Sequence, residues 1–203
     1  MKKLLFVVLA LFMAVGAQAQ AEEGDVSLQV RVGMNVSSMT DYNRAKFGYA
    51  FGLEMEYMMT DWLGLSAALL YSDQGGKDKT DGIRETLDID FANVLVMLNC
   101  YVLPGLAVKA GLQPSFRTKA TVRTDGASVD LDWFLNTLSK AVGETVEMRK
   151  FMLSVPVGLS YEYKHFVIDA RYNIGVTPIM KGGDNWHNSV FQLTLGYKFP
   201  LGL

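Results

Sequence analysis

The sequence holds one cysteine, Cys100, and two histidines, His165 and His187, among 203 residues. A single thiol excludes an intramolecular disulfide framework and a cysteine-based metal cluster. Two histidines leave little material for a histidine metal site or a histidine-centred triad. Proline is scarce, at 5, and the 19 glycines follow no collagen-like period. Charge is sparse at 20% and balanced to a formal −2, which excludes the basic excess of a nucleic-acid binder. Half the residues are hydrophobic, too many for a disordered chain. Beyond residue 21 there is no apolar run long enough for a transmembrane helix. The length fits one domain.

Residues 1–21, MKKLLFVVLALFMAVGAQAQA, carry a positive start at Lys2 and Lys3 and then an apolar run from Leu4 to Val15. That run is too short to span a bilayer as a helix. Small residues follow at Ala17, Ala19 and Ala21, so the segment reads as a cleaved secretory signal, cut after Ala19 or Ala21. No cysteine follows the cut, which excludes a lipoprotein anchor. Removing Lys2 and Lys3 leaves 17 basic against 21 acidic residues, a charge of −4 on residues 22–203.

Within 22–203 the dominant signal has period two. Val26, Leu28, Val30, Val32, Met34 and Val36 alternate with Ser27, Gln29, Arg31, Gly33 and Asn35. Phe47, Tyr49, Phe51, Leu53, Met55 and Tyr57 alternate with Gly48, Ala50, Gly52, Glu54 and Glu56. Similar runs start near Leu63, Ala92, Leu106, Leu153, Phe166 and Phe191, the one at Ala92 being less clean. Alternation of this length marks strands with two different environments. Eight of them suggest a closed antiparallel barrel or a sandwich. The connections near Asp61, Pro104 and Lys164 are tight. Those at about 37–45, 73–87, 118–149 and 178–188 are long. This short–long alternation gathers the long loops at one end, as in transmembrane barrels.

The apolar face carries no charge and many large side chains. An eight-stranded barrel has an interior only wide enough for side chains to fill, so that face is expected to meet lipid and the Gly, Ala and Ser-rich face to line the lumen. Aromatics gather toward both strand ends: Phe47, Tyr49 and Tyr71 toward the long loops, and Tyr57, Trp62, Tyr101, Tyr161, Tyr197 and Phe199 toward the short turns. Two such belts suit membrane interfaces. The predicted fold is all-β: an eight-stranded antiparallel transmembrane β-barrel with short periplasmic turns, long external loops and one short helix in a loop.

The leader together with "WLGLSAALLYSDQGGK", "LAVKAGLQPSF", "VGLSYEY", "IDARYNIGVT" and "FQLTLGYKF" resembles the small porin-family outer-membrane β-barrel proteins of Gram-negative bacteria. The resemblance covers essentially all of residues 22–203. Where relatives often carry Glu and Pro in the fourth strand, this chain has Asn93 and Leu95, and it has Pro156 in the sixth. The resemblance implies an integral outer-membrane location reached through the periplasm. It also implies contact with outer-membrane lipid and with the barrel-assembly machinery, which reads a terminal aromatic; here Phe199 is followed by four further residues.

The lumen face carries Arg31, Glu54, Glu56, Lys109, Glu162, Asp169, Arg171 and Lys198, four of each sign. Buried charges must be paired, so these eight are expected to form an internal network that plugs the barrel, with a selective pore or a polar ligand site as the alternative. Glu54 and Glu56 as a catalytic pair, or His187 beside Trp186 as a catalytic base, are weaker readings, and no catalytic residue is assigned. Cys100 reads as a small lipid-facing hydrophobe. Residues 73–82, DQGGKDKTDG, lack the spacing of an EF-hand and read as a flexible surface loop. In the connection 118–149, Leu131, Phe134, Leu135, Leu138 and Val142 recur at helical spacing with Trp133 beside them. Asp130 can cap the start and Gly143 can stop it, so residues 131–142 are expected to form an amphipathic helix. It would pack on neighbouring loops, cover the lumen mouth or bind a partner. No cofactor and no metal are implied. The expected function is a non-enzymatic outer-membrane barrel with a structural or surface-interaction role. The alternatives are a narrow channel for ions or small solutes and, last, a lipid-modifying enzyme. An external protein or small-solute partner is open, and nucleic acid is not expected.

Overall fold

The computed structural model describes residues 22–39, 44–80, 83–124, 127–131, 133, 137, 147–177, 180–181 and 188–201. The leader read at residues 1–21 lies outside them. In chain order the strands are β1 (Val26–Met39), β2 (Arg44–Thr60), β3 (Leu63–Thr80), β4 (Ile83–Leu103), β5 (Leu106–Thr124), β6 (Ala127–Asp130), β7 (Glu147–Met148), β8 (Phe151–Tyr163), β9 (Phe166–Gly175), β10 (Met180–Lys181) and β11 (Asn188–Pro200). Strands β1, β2, β3, β4, β5, β8, β9 and β11 each pair antiparallel with two neighbours. The ring closes where β1 meets β11, from Ser27 opposite Pro200 to Met39 opposite Asn188. Closure pairs the backbone groups that an open edge would leave bare, which lipid demands of a sheet. Strand β6 extends β5 in a hairpin, and β7 pairs with β10.

Period two decides which face is where. Phe51 is 50% exposed and its neighbour Ala50 is 2% exposed, while Leu195 is 53% exposed beside Thr194 at 2%. The apolar row faces out on the long strands, and the inward row is mostly small and polar, with apolar stretches chiefly on β3 and β4. The tight turns are at Asp61–Trp62, Pro104–Gly105 and Lys164–His165. Gly105 sits at φ +75, and Lys164 takes the same left-handed region at φ 56. The turn before β3 is held by Leu63 N–H donating to the Thr60 hydroxyl at 3.1 Å.

Three expectations change. The segment 73–82 is not a flexible loop: up to Thr80 it is β3, paired with β4 from Asp73 opposite Asp90 to Thr80 opposite Ile83. Likewise β5 runs on to Thr124, so the connection expected to start at 118 begins later. Polar outward side chains hide the alternation there, but the inward row Leu87, Ile89 and Phe91 keeps it, and with Ala120 and Met152 builds a small apolar core; Val122 and Leu131 pack against it. Gly75, at φ +141, allows the ladder to pass where a Cβ would strike the Leu87 carbonyl. Second, Tyr101 does not belong to the outer aromatic belt. Parity puts it on the Asn99 face, and it turns into the lumen. Third, the lumen face is less polar than expected, because Ala68, Leu70, Leu95 and Met97 form an apolar cluster inside it. The fourth run reads poorly in sequence for that reason: both of its faces are apolar. The helix expected over 131–142 lies largely outside the described residues; Leu131, Trp133 and Thr137 have helical backbone, and the Thr137 hydroxyl donates to the Trp133 carbonyl at 2.9 Å.

Two prolines interrupt the ladder around β5. Pairing with β4 lapses between Asn93–Ser115 and Val96–Leu112, where Pro114 has no N–H to give. Pairing with β8 lapses between Ala110–Val157 and Gln113–Ser154, where Pro156 has none. Register is kept across both gaps.

The outward position of Leu193, 40% exposed midway along β11, is directly testable. Leu193→Arg places a charge on the outer wall and is expected to cost about 2–4 kcal/mol near a bilayer midplane. Urea unfolding of protein refolded into phosphatidylcholine vesicles measures this. Leu193→Ala, which removes contact but adds no charge, is expected to cost much less.

Candidate functional site

The inward-facing charges assemble into two clusters toward the short-turn end. In the first, Arg31 lies 2.8 Å from Glu54 and 3.0 Å from Asp169. Lys109 Nζ lies 2.9 Å from Glu54 and 3.4 Å from Asp169. Arg171 donates from Nε to Asp169 Oδ1 at 2.7 Å. All five side chains are at most 4% exposed. The second cluster is Lys198 with Glu56, at 2.8 Å, and with Glu162. Here the Tyr101 hydroxyl reaches both oxygens of Glu56 at 3.0 Å, and Asn99 Nδ2 donates to the same carboxylate. The Tyr101 ring also lies 5.8 Å from Lys198 Nζ. The first cluster holds three cations and two anions and the second one cation and two anions. The two excesses cancel across the lumen, which is the condition for burying this many charges.

Glycine makes the room. Across the ladders Arg31 is flanked by Gly52 on β2 and Gly196 on β11, and Gly158 stands between Lys109 on β5 and Arg171 on β9. A Cβ on Gly158 would meet the Arg171 Cβ and the Ala170 carbonyl. Long basic side chains and missing side chains alternate around the wall, so the same narrow interior holds both.

A third cluster, not singled out in the sequence, lies toward the other end. Lys46 is 3% exposed and touches Asp73, Asp88 at 2.6 Å and the Gln74 carbonyl at 2.9 Å. Arg123 reaches Asp88 at 2.9 Å from an exposed position. Lys46, Asp73 and Asp88 were missed because the extended strands read as loops. Between the clusters, the cavity bounded by Gln74, Gln113, Asn173 and Asn188 has room for about one water.

Of the other singled-out residues, Leu131 is half-buried and Trp133 is 65% exposed. Phe134, Leu135, Leu138, Val142 and His187 lie outside the described residues. His165 is exposed in its turn, with its ring 5.5 Å from Tyr197. Cys100 is half-buried. Glu54 and Glu56 point into different clusters, each carboxylate engaged by cations. Among the described residues no three His, Cys, Asp or Glu side chains gather as metal ligands.

The first cluster should be a stability determinant. Glu54→Gln leaves Arg31, Lys109 and Arg171 facing Asp169 alone and is expected to cost about 3–5 kcal/mol, the scale for breaking a buried pair. Tyr101→Phe removes hydrogen bonds at the edge of the second cluster and should cost about 1–3 kcal/mol. Urea midpoints of the vesicle-refolded variants give both values.

The structure is similar to Ail, the attachment invasion locus protein of Yersinia pestis, with a TM-score of 0.55 and 18% identity over 87% of this chain and 99% of that one. Ail in complex with the heparin analogue sucrose octasulfate aligns at a TM-score of 0.53 and 19% identity, over the same shares of the two chains. Neisserial surface protein A aligns at a TM-score of 0.55 and 14% identity, over 87% of this chain and all of that one. At these identities the likeness is one of fold. No curated protein matches the sequence. The family model described as "Outer membrane protein beta-barrel domain" matches residues 7–199. The match spans most of the sequence and agrees with a closed barrel whose outer wall is apolar: the protein is an integral outer-membrane protein, and the chain belongs to the outer membrane protein β-barrel domain family.

Proposed function

We propose that the protein is a non-enzymatic outer-membrane barrel whose lumen is sealed by its own ion pairs, and which works through the surface at its long-connection end in a structural or interaction role. The observation that carries this reading is the pairing of Arg31, Glu54, Lys109, Asp169 and Arg171 across an eight-stranded lumen. A side chain held in such a network is not free to line a water path. The same pairing argues against catalysis by Glu54 or Glu56, since each carboxylate is occupied by cations.

In this reading residues 1–21 direct export, the tight turns face the periplasm and the long connections face outward. Outer-membrane lipid surrounds the apolar wall, and Phe199 near the end of β11 offers the barrel-assembly machinery its aromatic. Leu131 packs against the apolar core of Leu87, Ile89 and Phe91 and braces the outer end, and Trp133 is exposed there. Ail has been crystallised with a sulfated ligand, and a ligand at the displayed end of this chain fits the same kind of role.

A narrow channel is the competing reading, and planar bilayers decide between them. The purified barrel is expected to give no steady conductance, and Arg171→Ala is expected to unfold more easily before it conducts. Steady conductance of the unmodified protein would overturn the sealed-lumen reading.

A further inference from the structure

One outward row runs around the wall in register through Val32, Phe51, Tyr71, Ala92, Phe116 and Phe151. Ala92 is the one small side chain among these six. On one side of it Phe51 and Tyr71 have their rings 5.4 Å apart, and the Tyr49 ring lies 6.2 Å from the first and 6.4 Å from the second. On the other side Phe116 and Phe151 stand edge to face at 5.4 Å. Rings packed on one another in this way hold each other in place. Neighbouring strands lie about 4.8 Å apart, so the side chain missing over Ala92 leaves a notch one strand wide between two aromatic banks. A polymethylene chain, a single methylene across, fits a notch of that width.

The notch opens onto an apolar groove of about 560 Å³ on the outside of the barrel. One step toward the membrane midplane, Leu53, Leu69 and Val94 form its floor, in register on β2, β3 and β4. The rings of Phe51, Tyr71 and Phe116 form its outer lip. Among the described residues, none that lines it is charged. The groove is continuous with the wall that meets lipid, so hydrocarbon is the material beside it. Lipid tails are as apolar as the groove, and a chain that leaves other tails gains only by packing. The groove supplies that packing, because a chain inside it touches protein on the floor and on both banks, whereas a chain on a flat stretch of wall touches it on one side.

We propose that the groove holds one acyl chain of a membrane lipid, in the leaflet on the long-connection side, threaded over Ala92 between Tyr71 and Phe116 and lying on Leu69 and Val94. The site selects a chain and not a headgroup. It rests on the lipid-facing wall of the reading above and is independent of the sealed lumen.

The test uses the purified protein in phosphatidylcholine nanodiscs that contain a phosphatidylcholine with a photoactivatable diazirine at mid-chain, with adducts mapped by peptide mass spectrometry. Labelling at Leu69 and Val94 is expected to exceed that at Ile168 and Leu195 on the opposite wall, even though Val94 is only half-buried and Ile168 and Leu195 are 54% and 53% exposed. A92F fills the notch without adding charge and should bring Leu69 and Val94 down to the level of the opposite wall. A170F, an equal enlargement of an outward alanine on β9, should leave their excess unchanged. Gel mobility with and without heating shows that each variant is folded. Equal labelling of the two walls in the native protein would overturn the proposal, and so would an excess that survives A92F. A dimer in the nanodiscs that A92F breaks apart would give the groove to a second copy of the chain and overturn it too. Failure of the lipid-facing wall itself looks different, since the whole outward row would then escape the label.

Discussion

Eight strands close into a ring whose interior is just wide enough for side chains to fill, and that dimension governs the rest of this molecule. Closure itself is forced by lipid, which supplies no partner for a bare backbone group. Once closed, the ring must fill its interior with the side chains that period two turns inward. Here these include seven charged residues that are each at most 8% exposed: Arg31, Glu54, Glu56, Lys109, Asp169, Arg171 and Lys198. At such burial an unpaired charge is a large penalty, so the inward residues have to be chosen together rather than one by one. The cancelling excesses of the two clusters are the outcome of that coupling.

Volume is coupled in the same way. Arg31 fits because Gly52 and Gly196 stand beside it, and Arg171 and Lys109 fit because Gly158 does. Higher in the lumen the filling turns apolar, with Leu70, Leu95 and Met97 packed together, and at the far end Ile89 and Phe91 close a second apolar layer. The interior is therefore a stack of alternating chemistry, ionic, apolar, amide-rich and apolar again. Each layer borders one of different polarity, which opposes sliding of one strand past another, because a slip of one residue would turn charges to the lipid.

The architecture was legible because a two-sided environment writes itself into alternate residues. Val26 to Val36 and Phe47 to Tyr57 need no partner strand to be read. The inward positions of Arg31, Glu54, Asp169 and Arg171 follow from the same parity. What parity cannot say is which inward residues meet across the ring: Arg31 and Asp169 are brought together only by closure of β1 on β11 and of β11 on β9. The outer extension was obscured for a different reason. Asp73, Lys77, Asp78 and Asp88 look like a solvated loop because beyond the membrane both faces of a strand can be polar, and only Leu87 and Ile89 betray the ladder.

The two lapses at Pro114 and Pro156 have a mechanical meaning. A hoop of staves held by equal bonds has no preferred place to part, but β5 is held to each neighbour by a ladder with a missing stretch. The two missing stretches lie on opposite edges of one stave and nearly at one height. Local opening in a folded protein starts where fewest bonds must break. Amide protons flanking these positions are thus expected to meet solvent deuterium before those of the unbroken β1–β2 and β1–β11 ladders. Together the two lapses give the wall a grain along β5.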